Sequence, residues 1–477
     1  MGLTHIEARV HDPSIFRVGD MFYVFGSHMA MAKSRDLIAW EQIATHVHEG
    51  NPLMRHPDDF REAFEWSESR TFWAGDIEPM PDGRYFMYYC NCQGGKPLGD
   101  IGLAISESLE GPYTNQGIFL KSGMEGVSED GTIYDATIHP NCVDPHAFFD
   151  HDGVFWLLYG SFSGGIFIMR LDPETGLPFP GQGYGKKLMG GNHARIEGPY
   201  MLYSPETKYY YLFVTYGGLM HHEGYNMRIA RSRCVTGPFV DAAGQDITDV
   251  KGEDGTYFDD RSIEGYGTKL MGSYWFMQEL GESGGTTGHI SPGHNSAYFD
   301  RETGRYFLIF HQRFAHSRSI HQVRVHEMFL TDDGWFVVSP FRYSNTAQRS
   351  FVPDDIHGQW KIICHGQDIN YIPNISATVQ FNADGTIDGQ RSGYKGGTWR
   401  LGDDGCIVVS LTGRAFVPKG NNPNTFIDPA IHADTTENAY AGRVLLNFAQ
   451  DHDRVVTSFA AMSADGVALW GQKVICE

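Results

Sequence analysis

Basic residues are in short supply in this chain: 37 Lys and Arg face 58 Asp and Glu, a formal net charge of −21 with His neutral. No basic run offsets that sum, which argues against nucleic acid and anionic membrane as partners. A neutral small molecule or a neutral polymer fits better. No apolar stretch approaches the roughly 20 residues that span a bilayer. Residues Met1 to Val10 hold neither a basic n-region nor an apolar h-region, so no leader is expected in this chain. Cysteine is scarce, scattered and odd in number: Cys90, Cys92, Cys142, Cys234, Cys364, Cys406 and Cys476. Cys90 and Cys92 are too close for an unstrained bridge along one strand, and no second pair completes a zinc site. Buried thiols are the expectation. Helical periodicity is nearly missing too, which points to an all-β chain.

What the chain has instead is a recurring strand signature. The 477 residues exceed what one compact core accommodates, and 41% hydrophobic against 20% charged residues excludes a disordered chain. A turn followed by an aromatic and β-branched run appears as GDMFYVFGS (19–27), DGRYFMYYC (82–90) and DGVFWLLYGS (152–161). It returns as TKYYYLFVTYG (207–217) and GRYFLIFHQR (304–313). Each has the composition of a strand with a hairpin turn ahead of it.

A short apolar segment opened by a polar residue often precedes the aromatic run. These segments begin at Asp12, Trp73-Ala74-Gly75-Asp76, Asp144, Glu197 and His294. Some copies add a third, alternating strand that ends at a Gly-Pro-aromatic turn, as in GLAISESLEGPY (102–113) and MRIARSRCVTGPF (227–239). Unequal spacing argues against a solenoid, whereas a β-propeller tolerates insertions between its sheets. Five copies predict a five-bladed β-propeller over residues 1–345. The polar stretch SNTAQRSFVPDD (344–355) reads as a linker. Beyond it, ATVQFNADGT, GTWRLGDDGCIVVSL and RVLLNFAQDHDRVVTSFAAM predict a small antiparallel β-barrel over 346–477. That second domain shows no concentration of acid, base or nucleophile, and packing or carbohydrate contact is its expected use.

Inner strands of a propeller start near its axis, so Asp12, Asp144 and Glu197 are expected to converge there. Gathered carboxylates repel one another, which drives their pKa values apart. A pair with split pKa values suits glycoside hydrolysis, one acid for the leaving oxygen and one base for water. A sugar-binding propeller without catalysis is the competing reading, but a pure binder has no need for three axial carboxylates.

The segments HDPSIFRVGDMFYVFGSH, FWAGDIEPMPDGRYFMYY, NCVDPHAFFDHDGVFWLLYGSFSGG, RIEGPYMLYSPETKYYYLFVTYGG and PGHNSAYFD resemble family 43 of the glycoside hydrolases. Within it they are most similar to the endo-acting α-1,5-L-arabinanases that carry an extra C-terminal β-barrel. The resemblance implies an inverting hydrolase of internal arabinan linkages, with Asp12 as general base and Glu197 as general acid. It implies that Asp144 orients the acid and raises its pKa. Substrate contacts are implied at Trp73, Gly75, Asn141, Cys142, Val143, Ser161, Phe162 and Ser163, as well as at Asp12 and Asp144. Packing between blades competes with sugar contact at Trp73 and Phe162. The resemblance also implies one calcium ion on the axis, held by His294 and several waters, although calcium prefers oxygen ligands. An exo-acting α-L-arabinofuranosidase or β-xylosidase stays open, because loop conformation decides whether a cleft is closed at one end. A monomer is expected. Substrate and family resemblance favour an extracellular protein, since arabinan lies outside the cell, while the cysteines and the missing leader leave the cytoplasm open.

Two positions serve as internal controls. Glu110 repeats the EGPY tetrapeptide but follows an alternating outer strand, so no catalytic role is expected for it. Asp76 opens an inner strand and either takes part in the site or bonds backbone around the entrance. His221 and His222 are expected to face solvent.

Overall fold

The computed structural model describes residues 5–389, 393–413 and 437–475. Five sheets follow one another along the chain, each with its four main strands from one contiguous stretch. The first comprises Ser14–Val18, Met21–Gly26, Ala30–Ser34 and Glu41–Ala44 in that order. The second, third and fourth open on Asp76–Pro79, His146–Phe149 and Ile196–Ser204, and the fifth on His289–Asp300 after a short edge strand. These opening strands contact one another in turn, and the last contacts the first, so they form the inner ring of a five-bladed propeller. Every quoted aromatic run is the second strand of its blade.

Period-two alternation explains why those runs are apolar throughout. In the second blade Met87 and Tyr89 pack with Phe16 and Phe25 of the first, while Phe86 and Tyr88 pack with Leu157 and Tyr159 of the third. In the fourth, Leu212 and Val214 join Leu158 and Ile168 of the third, and Tyr211 and Phe213 join Leu308 and Phe310 of the fifth. A strand buried on both faces loses the polar alternation of a one-sided sheet. The ring closes where Phe307, Ile309 and Val325 meet Val10, Ile15 and Val24.

After the last propeller strand, Phe336–Arg342, the chain runs without regular structure to a short helix at Pro353–Ile356. Eight antiparallel strands then close a barrel, its first strand Gly358–Cys364 pairing with its last, Ala468–Lys473. Trp360, Phe381, Val409 and Phe459 fill the interior. Cys476 lies outside the described residues. Among the described cysteines, Cys90 and Cys142 are buried thiols pushed well up by burial. No helix among the described residues is long and apolar enough to cross a membrane.

The barrel is not a loosely tethered appendage. Between its first two strands the chain leaves to place Asn374–Ile375 parallel to Tyr274–Trp275, extending the fifth blade's sheet. The buried Arg228 of the fourth blade donates to the Gln367 carbonyl, and Lys269 Nζ donates to the Asp368 carbonyl at 2.6 Å. Lys361 of the barrel pairs with Glu282 of the propeller at 2.8 Å, both side chains essentially inaccessible. Removing one partner of such a pair strands the other charge. Glu282→Gln is therefore expected to destabilise the protein by about 3 kcal/mol. The denaturation midpoint followed by tryptophan fluorescence checks it, and adding Lys361→Met should recover most of the loss.

Candidate active site

The openings of the inner strands carry an unusual backbone. Asp12, Asp144, Gly198 and His294 have φ of 54°, 56°, 59° and 45°, all in the left-handed region. Three non-glycine residues there, at equivalent places in different blades, are the kind of strain that clusters at functional sites. The equivalence also refines the sequence pattern. Asp12 and Asp144 each stand at the left-handed position before a proline, but in the fourth blade Gly198 stands there. Glu197 is one residue earlier, on the strand and opposite Thr215. Gly198 is needed at that point because an added Cβ would lie 3.0 Å from the His294 ring.

Asp12 is buried among donors from the first and fifth blades. Its Oδ2 accepts from the Ser27 hydroxyl and lies 3.0 Å from His11 Nδ1. Its Oδ1 lies 3.4 Å from His294 Nδ1 and 3.3 Å from His311 Nδ1. Its own N–H donates to His311 Nδ1 at 3.2 Å. Burial works to raise the carboxyl, but the imidazoles of His11, His294 and His311 prevail and hold it well below the usual carboxylate range. The group is ionised at every moderate pH.

Glu197 is set the other way. Burial pushes it up to about 7, against two hydrogen bonds that favour its ionised form. Tyr225 Oη donates to Oε1 at 2.8 Å and Ser161 Oγ to Oε2 at 2.9 Å. Gly293 makes room for the tyrosine, since a Cβ there would meet its ring at 2.1 Å. Asp144 is also driven well above its ordinary value, first by burial and then by the charges of Glu197 and Asp12. One N–H, that of Gly198 at 3.2 Å, donates to its Oδ2. The three carboxyls thus divide into one low and two high.

The other sequence-derived residues surround this axis. Ser161 touches the acid directly. Phe162 and Ser163 are left-handed at φ 50° and 35°, and Phe162 is half-buried against Phe258 with ring centroids 5.5 Å apart. Asn141, Cys142 and Val143 lead into Asp144 and are buried, with Asn141 Nδ2 3.6 Å from Cys92 Sγ. Trp73 is half-buried, its indole N–H donating to the Cys92 carbonyl at 3.1 Å and its ring 6.4 Å from that of His28. Gly75 is buried where a Cβ would lie 2.7 Å from Phe25, a packing role whatever else it does. His294 donates its backbone N–H to Thr215 Oγ1 at 2.8 Å. The remaining axial donors, His11 and His311, bring ligand atoms within 4.8 Å of Asp12.

The control positions separate cleanly. Glu110 pairs with Lys33 at 2.8 Å on the outside of the ring. Asp76 is consumed by structure: Oδ1 accepts from Ser14 Oγ at 2.5 Å, and Oδ2 from the Ala147 N–H at 2.7 Å beside His146. It ties three inner strands together. His222 is exposed, as expected, and His221 is half-buried beside it.

Residues 5–277 match the glycosyl hydrolases family 43, and residues 340–471 match its C-terminal lipocalin-like domain. The chain belongs to family 43. It is 48% identical over 468 residues to the extracellular endo-α-(1→5)-L-arabinanase 2 of Bacillus subtilis, covering 98% of this chain and 93% of that one. The endo-1,5-α-L-arabinanase of Thermotoga petrophila superposes with a TM-score of 0.89 at 41% identity, covering 99% of this chain and 100% of the other. A family 43 protein from Bacillus licheniformis gives 0.90 at 45% identity, with 99% of each chain covered.

Sequence reasoning missed Ser27, His311 and Tyr225. His311 left one clue, a polar residue ending the otherwise apolar run YFLIFHQ. Tyr225 left none, being 28 residues from the acid it contacts. Since its hydroxyl favours the ionised carboxyl, Tyr225→Phe should raise the Glu197 pKa above about 7. Carboxyl titration by difference infrared or carbon NMR spectroscopy checks the direction.

Proposed function

We propose that this protein is an endo-acting α-1,5-L-arabinanase that cleaves arabinan by single displacement with inversion. The observation that carries it is the split between Asp12 and Glu197, one carboxyl held ionised and the other protonated up to about pH 7 on the same axis. Two relatives of nearly full-length similarity named as endo-arabinanases supply the substrate.

In the proposed reaction Asp12 takes a proton from water as that water attacks the anomeric carbon. Glu197 gives its proton to the departing glycosidic oxygen. His11, Ser27 and His294 fix the base, and Ser161 and Tyr225 aim the acid. Asp144 holds the adjoining turn through the Gly198 N–H, and its own pKa takes the repulsion from Glu197 and Asp12. One chain supplies every one of these groups.

A calcium ion is part of the proposal. The axial donors are mostly imidazole nitrogens, and the Asp12 oxygens already have partners, so the protein offers no oxygen cage. What fits is an ion bound by His294 with water in its other positions. It would supply positive charge that offsets carboxylate repulsion.

Asp12→Ala and Glu197→Ala should each lower turnover on linear arabinan by at least about 10²-fold, while Glu110→Ala leaves it intact. The Glu197 variant should lose less on aryl arabinofuranosides with good leaving groups. Early mixed oligomers from linear arabinan are expected; monomer alone would mean exo action. The alkaline limb of the wild-type kcat/KM profile should lie near 7, where Glu197 loses its proton. Asp144→Asn removes the carboxyl that takes this repulsion, so one of the two high carboxyl titrations should vanish while the limb set by Glu197 stays near 7. Thorough chelation should lower activity or Tm and added calcium restore it. Indifference of both, with no metal by elemental analysis, would remove the ion.

A further inference from the structure

Among the described residues, a strongly exposed aromatic pair stands beside the Glu197 side of the axis. Between the third and fourth strands of the fourth blade, Tyr257 and Phe258 are 72% and 52% accessible. Burying rings is favourable, so two large adjacent rings left in water call for an occupant. They are not on a floppy tip. The Asn192 side-chain amide donates to the Gly252 carbonyl at 3.0 Å and to Asp254 Oδ1 at 2.7 Å. Arg195 pairs with Asp260 through two nitrogens, its guanidinium 6.0 Å from the Phe258 ring. Tyr257 stacks on His193 at 4.2 Å and 12°.

A second observation marks the same place. Phe162, Ser163, Asn192, His193 and Phe258 are all non-glycine residues in the left-handed region. Such strain persists where the surroundings enforce it, and it concentrates at ligand clamps. Here it converges on one wall, from Phe162 through Phe258 to Tyr257, and Phe162 adjoins the Ser161 that bonds Glu197.

We infer that Tyr257 and Phe258 form a distal platform for the arabinan chain, outside the residues that surround the scissile bond. The inference rests on the arabinanase function proposed above and names the determinant of its preference for long chains. Trp73 opens the second blade, packed against its core with the third and 6.4 Å from the His28 ring, whereas Phe162 meets Phe258 of the fourth blade. A chain leaving the carboxylates past Ser161 and Phe162 meets this pair next. The flanking groups suit a neutral polymer: Arg195 is neutralised by Asp260, which leaves ring faces for furanose C–H groups and polar edges for hydroxyls.

The test compares Tyr257→Ala, Phe258→Asn and their combination with wild type, Asn being chosen because it tolerates the left-handed backbone. On linear arabinan KM should rise at least about fivefold in the double variant with kcat within about twofold. The ratio of kcat/KM on linear arabinan to that on arabinotriose should fall by the same factor. In a Glu197→Gln background, calorimetry should show the same weakening for long arabino-oligosaccharides and much less for the triose. Tm within a few degrees of wild type secures the comparison, and Phe258→Tyr should keep the wild-type KM. An active wild type with unmoved KM in the double variant, or an equal loss on all chain lengths, overturns the platform alone. A wild type inert on arabinan overturns the functional assignment and the platform with it.

Discussion

Closure of the ring between the first and fifth blades is the constraint on which the site depends. Among the described residues the four main strands of each blade come from one contiguous stretch and none is exchanged between the first and fifth blades, so side chains must latch the circle. The Ser296 hydroxyl donates to the Pro13 carbonyl at 2.6 Å and accepts the Ile15 N–H at 3.1 Å. Further out, Glu7 is gripped by Arg324 and Arg342 at 2.9 and 2.7 Å. The same seam carries His294 and His311 against Asp12. Joining the ends of the propeller therefore completes the surroundings of Asp12.

Glu197 and Asp12 owe their difference to what surrounds them rather than to residue type. Both are carboxyls removed from water, which by itself raises each. Asp12 escapes that outcome through three imidazoles and a hydroxyl; Glu197 has only two neutral hydroxyls and stays high. Asp144 sits between these cases with a single backbone donor and no cation, and it too is high. The difference between the carboxyls thus follows from which of them has imidazoles packed against it.

The barrel belongs to the same mechanical unit. Arg228 and Lys269 hold its first long loop, Lys361 reaches into the propeller, and Asn374–Ile375 joins the fifth blade's sheet. Ile363 and Trp470 of the barrel share a core with Phe310 of the fifth blade. The strand carrying His294 is packed from behind by a domain with no axial residue of its own. Support for that blade is a physical role for a domain whose sequence holds no chemistry.

The sequence by itself determined the all-β character, the five-fold repeat, the second domain and the three carboxylates. Those features are written locally: alternation, turn residues and an acidic residue at a strand's start need no distant partner to be read. Asp76 shows the limit. It has the same place in the repeat as the others, yet Ser14 and the Ala147 N–H from other blades occupy it and make it a tie. Glu197 shows another, since sequence places it level with Asp12 whereas the backbone sets it one residue back, with Gly198 in the strained position. Which carboxyl is high, which histidines serve the base and which rings extend the cleft were decided only in three dimensions. Each depends on groups brought together by closing the ring, and burial and donor count exist only once it is closed.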